Sequence, residues 1–274
     1  MIRLRDIPLP PEHNAHQLQF EAAQMLHISV SKIRHLRIVR RSVDARKKPD
    51  IKIIYTIDVA VDGSENKILK QSGCKRASIA PVSYYKPPKN TLSSEKRPVV
   101  VGFGPAGMFA ALVLAKAGAR PIVLERGRDA VSRKAAVERF RSEGILDTDC
   151  NVQFGEGGAG TFSDGKLNSV IKDIRCRKVL ETFVRFGAPE EILYNAKPHI
   201  GTDRLKLVVK AMREAIIAAG GEVRFGTQVT DVVISEGRLS ALTLQTGEII
   251  QTNAAILAIG HSARDTFYSL RDRQ

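Results

Sequence analysis

The spacing of apolar residues changes its character along the chain. Residues 15–27 place apolar side chains at near-helical spacing, which predicts a helix. Residues 33–39 and 51–61 alternate between apolar and polar positions, which predicts a β-hairpin joined through a basic turn at residues 44–50. Together these elements predict a small, basic α+β domain over residues 1–80.

A linker separates this pattern from the next one. Between residues 81 and 98 the chain is rich in Pro, Lys, Ser and Tyr and shows no periodicity. Such a composition is typical of an exposed connection between domains. The sequence therefore predicts a linker at residues 81–98 and a second domain at residues 99–274.

The second domain begins with a β–α–β unit. Val99–Val101 is a continuous β-branched run, typical of a parallel strand buried on both faces. It leads into G-F-G-P-A-G, then into an apolar helix that ends at Gly118, and then into a strand at residues 121–124 that ends at Glu125. This order of elements is the unit of dinucleotide-binding folds. It predicts an α/β, Rossmann-like FAD- or NAD(P)-binding fold of three layers.

Further elements continue the α/β pattern. An apolar stripe that begins at Leu205 predicts a helix with Thr202 as its N-cap and Gly220 after its end. Short apolar runs predict four more strands, at residues 222–225, 229–234, 239–245 and 254–259. The middle two of these strands are predicted to form a small meander.

The G-x-G-x-x-G turn carries most of the functional information. Gly102 permits a tight turn off the strand, Gly104 lets the backbone approach a pyrophosphate, and Gly107 lets the helix pack closely on the sheet. Pro105 suits the first helical turn, where no intrahelical N–H bond is lost. The free N–H groups and the positive dipole end of the helix would face a diphosphate. The context of the motif therefore predicts a dinucleotide site.

An acidic residue and a glycine-rich loop bear on which dinucleotide binds. Glu125 ends the second strand, where a carboxylate accepts hydrogen bonds from ribose hydroxyls and disfavours a 2′-phosphate. The motif itself does not separate FAD from NAD. An NAD domain would continue with short βα units, whereas here five glycines lie between residues 155 and 165. Such a loop lets the backbone lie flat against a planar or anionic ligand.

These motifs together resemble a bacterial family of FAD-dependent dehydrogenases, within the glutathione-reductase-type flavoprotein superfamily of NAD(P)/FAD-dependent oxidoreductases. The resemblance rests on V-V-G-F-G-P-A-G with E-R-G, on G-G-A-G-T-F-S-D-G-K-L, on I-L-A-I-G-H-S-A-R-D and on R-R-S-V-D-A-R-K-K at residues 40–48. It covers nearly the whole chain and implies FAD as the cofactor of an FAD-dependent oxidoreductase. The residues it assigns to the cofactor are Gly102, Gly104, Pro105, Ala106 and Gly107 at the pyrophosphate, Glu125 and Arg126 at the adenosine ribose, Gly157, Gly158, Gly160, Thr161 and Ser163 on the pyrophosphate–flavin side, Val229 near adenine and Gly260 closing over the dinucleotide.

Members of that family are considerably longer than 274 residues. In such folds the closing FAD-contacting strand and the substrate-facing region follow the point at which this sequence ends. We therefore expect a chain truncated at its C-terminus, the FAD-binding portion of an oxidoreductase, with an incomplete second domain. No second G-x-G-x-x-G that follows a predicted strand is present, so NAD(P)H would serve as a transient reductant or bind elsewhere. The substrate stays open.

Catalytic candidates are few, because the flavin itself carries the redox chemistry. Lys166 in the glycine-rich loop would stabilise negative charge on the reduced flavin, or it is a surface lysine. His261 follows the last predicted strand, where it would touch a phosphate or act as an acid, or it is structural. Cys150 is interpreted as a small buried hydrophobic residue.

The basic charge leaves a second class of function open. Residues 1–97 hold 19 basic and 9 acidic residues, so +10 of the formal net charge of +14 lies there. Nine of these basic residues lie between Lys32 and Lys52. This cluster is interpreted either as a nucleic-acid footprint or as a solvated hairpin whose charges protect an edge strand. The absence of interleaved aromatic residues counts against single-strand binding. The alternatives are a nucleic-acid-binding or RNA-modifying flavoprotein and a non-catalytic fragment.

Composition argues against several other classes. An apolar fraction of 43% with 26% charged residues is typical of a globular chain rather than a disordered one. The apolar runs are too short to span a bilayer, and no secretory signal is visible. Three widely spaced cysteines argue against a disulfide framework or a zinc site. We therefore expect a cytoplasmic protein without a metal.

Overall fold

The computed structural model divides into two units. Its described residues are 1–82, 84–85, 87, 95–163, 165–167, 169, 171 and 173–272. Unit 1 comprises residues 1–85, 167–184 and 189–199, and unit 2 comprises residues 86–166, 185–188 and 200–274. The sequence-based boundaries at 81–98 and 99–274 stay a prediction. Part of that linker lies outside the described residues, namely positions 83, 86 and 88–94.

Eleven strands and seven helices are assigned within the described residues. In chain order they are β1 (Ile2–Leu9), α1 (Ala15–Leu26), β2 (Ile33–Asp44), β3 (Lys52–Val61), α2 (Glu65–Ser72), β4 (Ala77–Ile79), β5 (Val99–Val101), α3 (Pro105–Lys116), β6 (Ile122–Leu124), α4 (Arg133–Glu143), α5 (Ile174–Arg185), α6 (Thr202–Ala218), β7 (Glu222–Arg224), β8 (Val229–Ser235), β9 (Arg238–Leu244), β10 (Ile249–Gln251), β11 (Ala255–Leu257) and α7 (Arg264–Arg271). None of these helices has both the length and the apolar character needed to cross a bilayer.

Unit 1 contains a four-stranded antiparallel sheet in the order β2-β3-β1-β4. With α1 and α2, this is the β-α-β-β-α-β arrangement of ferredoxin-like domains. The predicted helix and hairpin are confirmed as α1 and as β2 with β3. The sequence pattern does not predict β1, because Pro8 and an irregularity near Asp6, whose φ is 55°, interrupt its alternation.

The apolar core of unit 1 covers one face of its sheet. Ile57 and Val59 of β3 are fully buried there, together with Leu4 of β1. α1 contributes Leu18 and Leu26. This helix starts at a reciprocal capping box in which Asn14 and Gln17 each satisfy the other's backbone N–H.

The opposite face of the sheet carries a buried carboxylate. Asp58 on β3 is fully buried and accepts hydrogen bonds from Arg3 of β1 at 2.7 and 3.0 Å and from Arg37 of β2 at 2.7 Å. Both arginines are its register partners on the neighbouring strands. Burial alone raises the pKa of Asp58, but the hydrogen bonds from the two arginines bring it below its ordinary value. Asp58 is therefore ionised at neutral pH.

Asp58→Asn is expected to remove part of the acid sensitivity of unit 1. A carboxyl group with a lowered pKa in the folded state contributes stability above its ordinary pKa of 3.8, and this contribution is lost as the pH falls through the folded pKa. Hydrogen bonds to charged groups contribute about 1.5–3 kcal/mol. We therefore expect Asp58→Asn to lower the free energy of unfolding of unit 1 by an amount of this order at neutral pH. Amide hydrogen exchange in β1 and β3 measures it. The difference in stability between the wild type and Asp58→Asn should shrink as the pH falls towards the pKa of Asp58. A difference that stays constant with pH would contradict the lowered pKa of Asp58.

Unit 2 is built on a parallel sheet in the order β11-β5-β6-β7. The antiparallel meander β8-β9-β10 packs on one face, where Val99 and Val101 meet Leu242 and Leu244. Val100 points to the other face, since side chains alternate along a strand, and α3 and α6 pack against each other in the helical layer. The predicted three-layer α/β fold is confirmed. Because β11 joins β5 on the side opposite β6, the strand order reverses at β5.

Some sequence-based details are wrong. Thr202 is the first residue of α6 and not its N-cap; Gly201, with φ 84°, precedes the helix and provides no side-chain cap. Glycine adopts this left-handed conformation without a Cβ penalty. The strand predicted at residues 254–259 is confined to β11, and the sequence pattern does not predict α2, α4, α5 or α7.

Candidate dinucleotide-binding site

A cleft of about 580 Å³ lies in unit 2 at the carboxyl ends of β5, β6 and β11. The last residue of each strand lines it: Val101, Leu124 and Leu257. In open α/β sheets, ligands bind at this edge where the strand order reverses. The volume falls within the range of small-molecule and cofactor sites.

The glycine turn after β5 packs closely against neighbouring backbone atoms. Gly102 has φ 95°, and a Cβ there would collide with the carbonyl oxygen of Ala258. A Cβ at Gly107 would collide with the carbonyl oxygen of Gly102. Gly104 is different, because no atom lies within 4 Å of the position of its missing Cβ, and the residue lines the cleft. Two glycines therefore permit packing, and the third leaves room in the cleft.

The N-terminus of α3 opens onto this space. Gly104 is its N-cap and Pro105 its first residue, and both line the cleft together with Ala106. The first N–H groups of a helix have no partner within the helix. With the positive end of the helix dipole, they make this edge of the cleft favourable for an anion.

Glu125 follows β6 and lines the same cleft. Its buried carboxylate accepts hydrogen bonds from the backbone N–H groups of Phe103 at 2.7 Å and of Gly127 at 2.9 Å. Each oxygen keeps a further lone pair, so the group can accept additional hydrogen bonds. Glu125 thus joins the glycine turn to the end of the neighbouring strand.

Arg126 also lines the cleft but has protein partners. It donates to the two carboxylate oxygens of Asp265 at 3.0 and 2.8 Å, and its guanidinium lies 4.5 Å from the ring centre of Phe154. Asp265 also accepts from Gln228 at 2.6 Å. The predicted contact of Arg126 with a ribose would therefore compete with an ion pair to α7.

The glycine-rich loop contributes one of its predicted residues to the cleft. Gly158 lines it, close to Pro105. Gly157 donates its N–H to the carbonyl of Phe103 at 2.9 Å, and the buried Thr161 hydroxyl donates to the carbonyl of Gly158 at 3.0 Å. These hydrogen bonds stabilise the conformation of the loop. The lining does not include Gly107, Gly157, Gly160, Thr161 or Ser163.

Of the remaining predicted residues, some line the cleft and others do not. Val229, Gly260 and His261 line the cleft, and His261 Nε2 lies 3.2 Å from the hydroxyl oxygen of Ser262. Lys166 is exposed and does not belong to the lining. Cys150 is buried. The structure thus brings most of the predicted adenosine and pyrophosphate residues together, and His261 with them.

Arg133 and Glu156 form a buried polar cluster that sequence reasoning missed. Arg133 on α4 is fully buried and donates to the carbonyls of Glu156 at 2.6 Å, Gly158 at 3.0 Å and Val152 at 3.1 Å. The Glu156 carboxylate accepts from Ala130 N–H at 2.8 Å and from Arg213 at 3.2 Å. Burial lowers the pKa of Arg133 to about 10 and raises that of Glu156. Arg133 therefore fixes the loop that carries Gly158.

The helix α7 supplies further lining that the sequence pattern does not reveal. Thr266, Phe267 and Leu270 line the cleft. The helix is held by Asp265, as described, and by the Ser269 hydroxyl, which donates to the carbonyl of Thr230 at 2.9 Å. Neither bond has a local signal in the sequence, because each joins residues far apart in the chain.

Comparison with known proteins identifies two family models. The model of the FAD binding domain matches residues 96–248. A model described as a domain of unknown function, DUF8436, matches residues 1–60. The first match contains the glycine turn, Glu125 and the glycine-rich loop.

One curated relative matches nearly the whole chain. It is a protein of Clostridium beijerinckii, described as uncharacterized, with 44% identity over 270 residues, which are 98% of this chain and 50% of the relative. The chain thus spans about half the length of the curated relative it matches.

Three solved structures match part of the chain. Thermovibrio ammonificans THI4 is 19% identical, with 65% of this chain and 62% of that chain covered and a TM-score of 0.43. Glycine oxidase from Bacillus cereus is 15% identical, with coverage of 65% and 59% and a TM-score of 0.35. L-proline dehydrogenase from P. horikoshii is 16% identical, with coverage of 61% and 53% and a TM-score of 0.33.

Proposed function

The chain belongs to the FAD-binding domain family, with FAD as its cofactor, and from this premise we propose that it is the FAD-binding portion of an oxidoreductase. The cofactor would lie in the cleft of unit 2. When bound, FAD supplies hydride and electron transfer, while the protein supplies binding, orientation and electrostatics.

One observation carries the proposal: the glycine turn opens into a cleft at the reversal of strand order. At Gly104 the backbone borders the cleft with no atom within 4 Å of a Cβ position. Close approach of a diphosphate to backbone N–H groups needs this free space. The residues present therefore fit the cofactor.

Individual roles follow from the lining. Gly104, Pro105 and Ala106 would hold the pyrophosphate at the N-terminus of α3, and Gly158 would approach it from the facing loop. Glu125 would accept from the adenosine ribose hydroxyls with its remaining lone pairs. Its negative charge would repel a 2′-phosphate, so these residues favour FAD over a 2′-phosphorylated dinucleotide.

The proposal is tested by loading and reducing the flavin. The purified chain is incubated with FAD, freed of unbound flavin, and examined for the visible flavin absorbance. We expect retained flavin that bleaches under anaerobic addition of NADH or NADPH, the transient reductants considered above, or of dithionite. Absence of retained flavin would contradict binding, and retained flavin that dithionite bleaches but neither NADH nor NADPH bleaches would contradict NAD(P)H as the transient reductant.

The nucleic-acid alternative receives no support from the basic hairpin. Four of its nine basic residues form ion pairs within the described part of unit 1: Arg34 with Asp62, Arg37 with Asp58, Arg46 with Asp44, and Lys52 with Asp50. Tyr55, the aromatic residue of this hairpin, is buried. Stacking platforms for bases need exposed aromatic side chains.

A further inference from the structure

A second cleft, of about 470 Å³, lies wholly within unit 1. It borders the sheet face that carries Asp58, opposite the apolar core of this unit. Arg3 and Arg37 of the sheet and Arg177 of α5 line it. Neither the family matches nor the proposed function assigns a role to this cleft.

Asp58 holds two of these arginines in fixed positions. Arg3 uses Nε and Nη2 for the bonds to the carboxylate, and Arg37 uses Nη2. Arginine has five N–H donors, so among the described residues no acceptor takes up Nη1 of Arg3 or Nε and Nη1 of Arg37, and these atoms can donate to a ligand. Because the carboxylate beneath them is fully buried, these guanidinium groups are preorganised at the wall of the cleft.

The third arginine approaches from α5. Arg177 donates from Nε to Glu181 at 2.9 Å and from Nη1 to the carbonyl of Leu193 at 2.7 Å. Its Nη2 is not used in these bonds. Met1 also lines the cleft, and its N-terminal ammonium pairs with Glu65 at 2.7 Å. Counting this ammonium, Arg3, Arg37 and Arg177 against Glu65, Asp58 and Glu181, these groups have a net charge of +1, which matches a single negative charge.

The rest of the lining includes small apolar groups. Ile38, Val39 and Ala80 line the cleft beside the arginines. A preformed pocket with apolar walls and a few polar groups is the usual form of a small-molecule site. Guanidinium groups in a fixed fork are suited to planar carboxylates.

We propose that this cleft binds a small organic carboxylate with an apolar body. The carboxylate would accept from the free donors of Arg3 and Arg37, and the apolar body would lie against Ile38 and Val39. A single negative charge compensates the net charge of the lining, whereas a phosphate dianion would leave an excess negative charge. The inference is independent of FAD binding, because every residue it uses belongs to unit 1.

The test uses the full chain and three probes: hexanoate, its neutral analogue hexanamide, and inorganic phosphate. Binding is followed by calorimetric titration. We expect saturable binding of hexanoate, and no saturable binding of hexanamide or phosphate over the same concentration range. Saturable binding of hexanamide as strong as that of hexanoate would overturn the role of the arginines, and preferential binding of phosphate would overturn the carboxylate class.

A matched pair of variants locates the site. Arg37→Gln removes a lining guanidinium whose side chain is 52% exposed, and Arg34→Gln removes one on the same strand that is 70% exposed and outside the cleft. Charge-assisted hydrogen bonds of this kind are strong, so we expect Arg37→Gln to weaken hexanoate binding by about tenfold or more. Arg34→Gln should leave it unchanged. Equal effects of the two variants, or no binding by the wild type, would overturn the proposal.

Discussion

Gly104→Asp is expected to abolish FAD binding without lowering the thermal stability of the flavin-free chain. The N-cap Gly104 has φ −72° and ψ −175°, which any residue adopts, and an added Cβ meets no atom within 4 Å. Asp is a preferred N-cap, and its charge is favourable at the positive end of α3. The same carboxylate would occupy the space of the pyrophosphate and repel it.

Gly104→Asn is the matched control for this variant. Asn has nearly the same size and is an equally good N-cap, but it carries no charge. Two like charges about 4 Å apart repel by about 4 kcal/mol at the effective dielectric near a protein surface. We therefore expect FAD affinity at least about a hundredfold lower in Gly104→Asp than in Gly104→Asn. FAD titrations and thermal melts of both variants measure this, and FAD affinities of both variants equal to that of the wild type would place the pyrophosphate elsewhere.

Arg133→Ala is expected to destabilise unit 2 by about 3–5 kcal/mol, as for removal of one partner of a buried charged cluster. The side chain is fully buried and donates to three backbone carbonyls in the loop 152–158. Its removal leaves these carbonyls without their donor and leaves Arg213 as the remaining positive charge beside Glu156. Amide hydrogen exchange in α4 and in the loop measures the loss. FAD retention should fall with it, since Gly158 lies in the same loop.

Arg139→Ala on the same helix is the control for this prediction. Arg139 forms an exposed ion pair with Glu143, and exposed pairs of this type contribute at most about 1 kcal/mol. Arg133→Lys keeps the charge but has fewer hydrogen-bond donors, so its loss of stability should lie between the losses of the two alanine variants. If Arg133→Ala and Arg139→Ala had equal effects, Arg133 would have no special role in the loop.

The dinucleotide turn was accessible from the sequence because its signal is local. The β-branched strand, the glycines at fixed offsets and Glu125 follow one another within one β–α–β unit, and each has a steric or hydrogen-bonding reason at its own position. The structure places Gly102 and Gly107 against backbone atoms and Gly104 against open space. A sequence motif records which positions are glycine, but only the structure separates the two functions of these glycines.

The ion pairs and buried charges were not accessible from the sequence in the same way. Arg133 lies in a helix of low apolar content, and its partners come from a loop with no periodic pattern. Arg126 and Asp265 are separated by 139 residues. Asp58 occupies a polar position of the alternating strand pattern, which does not separate a buried carboxylate from an exposed one, and its two arginine partners depend on strand order. Partners that tertiary structure brings together leave no fixed spacing in the sequence.

The most direct test of the dinucleotide site is an equilibrium titration of FAD into the flavin-free chain, followed by flavin fluorescence and repeated with excess ADP or FMN. The glycine turn and Glu125 would contact the ADP half of FAD. We therefore predict one saturable site per chain, from which ADP displaces FAD and FMN does not. Failure to bind FAD, or displacement by FMN but not by ADP, would contradict the assignment of this cleft.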